Sequence, residues 1–211
     1  MVHDRAVISL SEAIADTDAP GPPVLEGVGF GRRALARSID MAVHYLVGTV
    51  VGIITGILVA IGATVRGVEP DQTLAMLSTT PLIGFIAALV GAMAMHVLAE
   101  WLHGSTLGKR VCGITVIHED RGPASLGGVV KRNVAYFVDT LFFGFVAYQK
   151  MAESARSQRI GDRWGRTMVV RIAALDPSER RSGLRFVAAS AAGLMADGLI
   201  TFFELASRLI Q

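Results

Sequence analysis

The 211-residue chain has a single cysteine, Cys112, so no internal disulfide can form and no thiol pair is available for a zinc ribbon. Charge is also scarce. Asp, Glu, Lys and Arg make up 18% of the residues against 52% hydrophobic ones. With a mean hydropathy of +0.50, this balance excludes an ordinary soluble domain and fits a small polytopic membrane protein. A formal net charge of +2 gives no electrostatic footprint for nucleic acid. The first thirty residues lack an apolar core long enough for a secretory signal. No HExxH motif is present, and Ser105, Cys112 and Ser125 have no recognisable base, so neither an enzyme nor a cofactor is expected. GSTLGKR (residues 104–110) is not a phosphate-binding P-loop. Three residues separate its glycines instead of four, and Arg110 stands where Ser or Thr must hold magnesium.

What the chain does have is long apolar runs. Residues 41–63, MAVHYLVGTVVGIITGILVAIGA, carry no fixed charge. At about 1.5 Å per residue they cross a hydrocarbon core of roughly 30 Å, and in lipid they must be helical to satisfy their own backbone. Leu82–His103 predicts a second span. Gly48, Gly52 and Gly56 recur every four residues in the first span, and Gly84, Ala88 and Ala92 do so in the second. The two small stripes predict an antiparallel hairpin packed through them. Just before the first apolar run, Arg33, Arg37, Asp40 and His44 share a helical face. Two readings fit: snorkelling arginines with a capping aspartate, or a structured ionic site. His96, Glu100 and His103 share a face at the end of span two. They are weak metal candidates, since no further ligand set accompanies them; the competing reading is interfacial anchoring.

Beyond span two, Val111 and Ile114 to Ile117 suggest a short strand, followed by a turn at EDRGPAS. The stretch 133–149 holds about sixteen apolar residues, carries Asp139 and is interrupted by Gly144. This falls short of the roughly twenty a span needs, so a re-entrant or interfacial helix pair is expected, with a full third span as the alternative. In the C-terminal stretch, Ser190, Asp197, Thr201, Glu204, Arg208 and Gln211 form one polar stripe. An interfacial amphipathic helix and a span with its stripe turned inward both fit.

Three blocks in order carry a family resemblance: Arg33 seven residues before Asp40; Thr106, Leu107, Gly108, Lys109, Arg110, Gly113 and Val116, followed by Arg132 and Asn133; and Arg159-Ile160-Gly161-Asp162 ending in Thr167, Val169 and Val170. Over about residues 28–171 the chain resembles the RDD family of bacterial membrane proteins. The resemblance implies that Arg33, Asp40 and Asp162 are the name-giving residues, with Thr106, Gly108, Lys109 and Arg132 as further motif positions. Trp164-Gly165-Arg166 is bulkier and more basic than the family's usual closing block. The family's activity is mostly uncharacterised, with a few members linked to sodium–proton antiport.

The expected architecture is an all-α membrane protein: a small helical bundle of two spans, a re-entrant or third membrane helix, a short cytoplasmic β-like segment and a C-terminal amphipathic or fourth membrane helix. Residues 1–27 read as a disordered tail with a short helix around Ser9–Ala15, 28–171 as the membrane domain, and 172–211 as linker and membrane-associated helix. The arginine-rich segments 104–132 and 150–185 place the N-terminus in the cytoplasm of a bacterial plasma (inner) membrane. One functional reading is a small oligomeric ion or solute carrier, with Asp40, His44, Asp139 and Asp197 along the ion pathway. The other is a non-catalytic module that binds a partner membrane protein or anionic lipid through its basic face.

Overall fold

The computed structural model describes residues 25–77, 81–139 and 141–207; most of the expected tail, including Ser9–Ala15, lies outside them. Leu25 and Val28 belong to buried apolar clusters, and the Val28 N–H donates to the Val169 carbonyl at 2.8 Å. Leu25, inside the expected tail, is thus packed with Met168 and Val170 of the sheet.

Helix α1, Phe30–Val65, has 36 residues, or about 54 Å. That exceeds a hydrocarbon core, so its arginine-bearing first turns reach beyond the apolar run. A short helix α2, Pro70–Leu77, leads to α3, Pro81–His103. Next come α4 (Leu107–Val111), strand β1 (Ile114–His118), α5 (Leu126–Val134), α6 (Tyr136–Asp139), α7 (Leu141–Ala152), α8 (Ile160–Trp164), strand β2 (Thr167–Arg171) and α9 (Gly183–Ser207). Among the described residues, three helical segments are long and apolar enough to cross a membrane: Phe30–Val65, Leu82–His103 and Pro177–Ser207. The C-terminal stretch is thus a spanning helix by length and composition, with Asp197 buried on its inward stripe; Arg208 and Gln211 lie outside the described residues.

The expected hairpin of spans one and two is corrected. A side chain at Gly48, Gly52 or Gly56 would meet no other element within 4 Å. The Gly84–Ala88 helix, α3, instead packs along α9 in antiparallel fashion: His103 meets the ring of Phe186, Met95 meets Gly193, and Gly91 meets Asp197. A Cβ on Gly193 would stand 2.9 Å from the Met95 carbonyl oxygen. The physical reason is polar. Small residues permit close approach, but α9 alone brings a carboxylate, Asp197, that reaches His44 of α1 across the bundle.

At the basic end of the bundle, β1 and β2 form a two-stranded antiparallel sheet with Val116 opposite Val169. Its β-branched residues Ile114, Val116 and Val169 pack with Val129 of α5 and Ala36 of α1. Val111, expected in the strand, is instead the last residue of α4 and is exposed. The break is Gly113, at φ +66, a left-handed turn that glycine adopts without steric cost. Among the described residues between 126 and 152 no helix exceeds the 12 residues of α7, about 18 Å, shorter than a hydrocarbon core. Gly144 at φ +85 marks a turn inside α7 where the side chain's absence admits the Phe30 ring.

Replacing Gly193 with Leu should lower the thermal stability of the detergent-solubilised protein by about 1–3 kcal/mol, the usual cost of overpacking a close contact. Gly52→Leu should leave it within about 0.5 kcal/mol, as surface changes do. Equal losses in the two variants would contradict the packing described here.

Candidate functional site

Four carboxylates and five cations from six elements meet where α1 enters the bundle. Asp40 of α1 is 2% exposed. It accepts from the Thr106 hydroxyl at 2.6 Å and from the Gly108 N–H at 2.7 Å. Thr106 is the N-cap of α4 and its hydroxyl oxygen in turn accepts from Lys109 N–H. Asp40 thus occupies the place of an anion at a helix start, held by a cap hydroxyl and a free N–H. Only glycine fits at 108, because a Cβ there would run into the Ala36 carbonyl. This explains the Thr-Leu-Gly-Lys block: Asp40 is anchored by Thr106 and Gly108, not by an arginine. The His96 Nδ1 stands 4.0 Å away on its other side.

Asp162 opens α8 and is fully buried. It pairs with Arg33 of α1, with Arg132 of α5 at 3.3 Å and with Arg159 at 3.7 Å. It also accepts from the Arg159 N–H at 3.1 Å, so the local turn cap and the long-range ion pair are one arrangement. Burial opposes its charge, yet the guanidiniums of Arg33, Arg132 and Arg159 and that N–H hold its carboxyl well below the usual carboxylate range. Arg33 spends its remaining donors on the Val28 carbonyl and the Ser157 carbonyl, each at 2.8 Å. A planar fork serves three acceptors here that an ammonium could not reach together.

Glu100 of α3 is the second hub. It takes Lys109 in an ion pair, the Arg132 Nε at 3.3 Å and the Asn133 amide at 3.4 Å. Arg132, 2% exposed, therefore bridges Glu100 and Asp162. The metal reading of His96, Glu100 and His103 has no geometry behind it: Glu100 faces cations and His103 packs edge-on to Phe186. Among the described residues no group of three or more His, Cys, Asp or Glu is placed to hold a metal ion. Asp139 completes the set, with Arg159 Nε at 3.7 Å. Deeper in the bundle, His44 Nδ1 and Asp197 Oδ2 lie 2.7 Å apart, both buried.

Beside this network lies a cavity of about 760 Å³, lined by Arg33, Arg37, Lys109, Arg132 and Arg159, by Asp40, Glu100 and Asp139, and on its apolar side by Phe30, Met41, Tyr45 and Met151. The structure thus brings together Arg33, Asp40, Thr106, Gly108, Lys109, Arg132, Asp139 and Asp162, and sets His44 and Asp197 apart from them. Sequence reasoning missed Glu100 as a charge hub and Asn133 as its partner. The signal was Glu100's place on the Asp40-facing end of α3, hidden by two neighbouring histidines.

A double-mutant cycle of Arg33→Ala with Asp162→Asn should show coupling above about 1 kcal/mol, because a buried pair loses most when one partner is left alone. Because the folded Asp162 titrates below its unfolded value, its stabilisation is present above that value and is lost as pH falls through the folded one. The melting-temperature gap between wild type and Asp162→Asn should be widest above about pH 5 and narrow below about pH 4, the ordinary aspartate range.

Comparison with known proteins bears on this architecture. Residues 28–166, more than half of the chain, match the RDD family. The match ends before β2, short of the residue 171 expected. It takes in all of the charged network, the sheet's first strand and two of the three long apolar helices, and leaves α9 outside. No curated protein and no solved structure matches the chain. With Arg33, Asp40 and Asp162 all inside the matched region and all built into one buried site, this multi-pass membrane protein belongs to the RDD family.

Proposed function

We propose that the chain is a small ion-coupled carrier of the bacterial plasma membrane, non-enzymatic, with its basic end in the cytoplasm. The observation that supports this reading is the His44–Asp197 pair, 2.7 Å apart and buried between α1 and α9 within the apolar part of the bundle. Asp197 Oδ1 has no hydrogen-bond partner among the described residues. A carboxylate–imidazole pair at this depth is costly unless its charge is matched, and one proton switches that charge. His96, with both ring nitrogens unpartnered among the described residues and Asp40 4.0 Å from it, lies between this pair and the cavity. The groups form a string along which a proton can exchange against another cation: Asp197, His44, His96, Asp40.

The Arg–Asp network then serves as the fixed base. Arg33, Lys109, Arg132 and Arg159 are held by Glu100, Asp139 and Asp162 within 4.0 Å, which leaves the titratable string as the mobile charge. Three spans enclose no pathway alone, and α1 presents Leu46, Val50, Ile53, Ile57 and Ile61 outward. These fit lipid or a second copy, so transport is assigned to an oligomer. Orientation follows from Arg32, Arg33 and Arg37 at one end of α1 against Arg66 alone at the other. The rival reading, a module that holds a partner or anionic lipid without transport, predicts no flux.

In proteoliposomes with an entrapped pH indicator, a sodium pulse should drive proton movement in the wild type. Asp197→Asn should reduce it by roughly a hundredfold, the scale of losing a positioned proton-transfer group, in protein that melts as wild type does. Asp40→Asn should also lower it. Equal proton movement in wild type, variants and empty vesicles would refute the carrier reading.

A further inference from the structure

Among the described residues, one cation that lines the cavity has no carboxylate within ion-pair distance. Arg33, Lys109, Arg132 and Arg159 each have a carboxylate within 4.0 Å. Arg37 has none among the described residues. Its guanidinium stacks on the Tyr136 ring at 4.2 Å, and its buried Nε lacks an acceptor. Arg132 also lines the cavity, but it is 2% exposed and turned to Glu100 and Asp162. Five cations against Asp40, Glu100, Asp139 and Asp162 leave the site one positive charge in excess. Half-buried guanidinium at a membrane boundary is unfavourable without a counter-ion. Among the described residues the positive charge left over is that of Arg37.

The shape of the cavity narrows the choice of anion. Arg37 lies one turn before the apolar run that begins at Met41. From there Met41, Ala42 and Tyr45 carry the cavity wall along α1 to lipid depth, and Tyr45 is 70% exposed. A soluble anion would use the charged end and leave that wall unfilled. An amphiphile fills both, with its head at the guanidinium level and its chain along the apolar wall. We infer that the cavity binds the phosphodiester headgroup of an anionic membrane phospholipid, with the Arg37 guanidinium on the phosphate. Guanidinium suits this because its fork matches two phosphate oxygens. The inference is independent of the carrier reading, since a non-transporting module would bind the same lipid.

The test titrates the purified full-length protein in neutral detergent with short-chain phosphatidylglycerol, short-chain phosphatidylcholine or inorganic phosphate, and reads the melting temperature. Phosphatidylglycerol should raise it saturably, and phosphatidylcholine should not. In Arg37→Gln the half-saturating concentration should rise by roughly tenfold or more, as for losing a charge-assisted contact. The unliganded protein should fold and lose at most a few degrees of melting temperature with the Tyr136 stack, because Arg37 closes no ion pair of the network. Should Arg37→Gln fail to fold, Ser38→Glu serves instead. Ser38 is exposed on the cavity's rim, and a carboxylate there supplies the missing charge internally and should weaken the lipid by a similar factor. Equal stabilisation by phosphatidylcholine, or unchanged affinity in either variant, would overturn the assignment. Saturable stabilisation by inorganic phosphate at concentrations as low as the lipid's would overturn the lipid as its occupant.

Discussion

Asp162 keeps a full negative charge in a place from which water is excluded, and three guanidiniums from α1, α5 and α8 make that possible. The rest of the basic end follows from the requirement. Arg33 must arrive from the first turns of α1, so the chain before it is tied to β2 through Val28. Arg132 must face both ways, so Glu100 of α3 is drawn to its other side. Desolvation of so many charges offsets much of their mutual attraction. Such a network contributes less to stability than to fixing one arrangement of short helices over another. Short elements like α4, α6 and α8, of four or five residues each, have no stability of their own to choose with.

Asp40 solves the same problem by different means. No cation touches its oxygens; a cap hydroxyl and a backbone N–H do. The two name-giving aspartates therefore depend on unlike partners. One is matched by charge and one by the open end of a helix. That leaves Lys109, which an Asp40 ion pair would have occupied, for Glu100.

Much of this was legible in the sequence. The Arg33–Asp40 spacing, the Thr-Leu-Gly-Lys and Gly-Asp blocks, and the apolar runs marked the site and the spans, because each is a local pattern with a local cause. The first strand was legible from Ile114 to Ile117, and the inward stripe of α9 was visible in Asp197. The helix pairing was not. A repeat of glycines records that close approach is permitted, while the partner is chosen by long-range chemistry, here Asp197 reaching His44. The anchor of Asp40 was equally hidden, since a backbone N–H carries no letter in a sequence. Glu100's role as a charge hub was hidden, because the sequence grouped it with two histidines as interfacial anchors or weak metal candidates while its partners lie in other elements.

Arg33 and Asp162 are 129 residues apart, and this separation sets a clock on biosynthesis. At typical translation rates about ten seconds pass between them. During that interval the first helix is already at the membrane with its arginine unmatched, and anionic headgroups are the nearest counter-charges. The last helix arrives later still, so His44 waits in the apolar zone for Asp197. Assembly of the bundle is therefore tied to completion of the chain. A ribosome stalled before α8 would leave a protein whose spans are inserted but whose charges belong to the lipid rather than to one another.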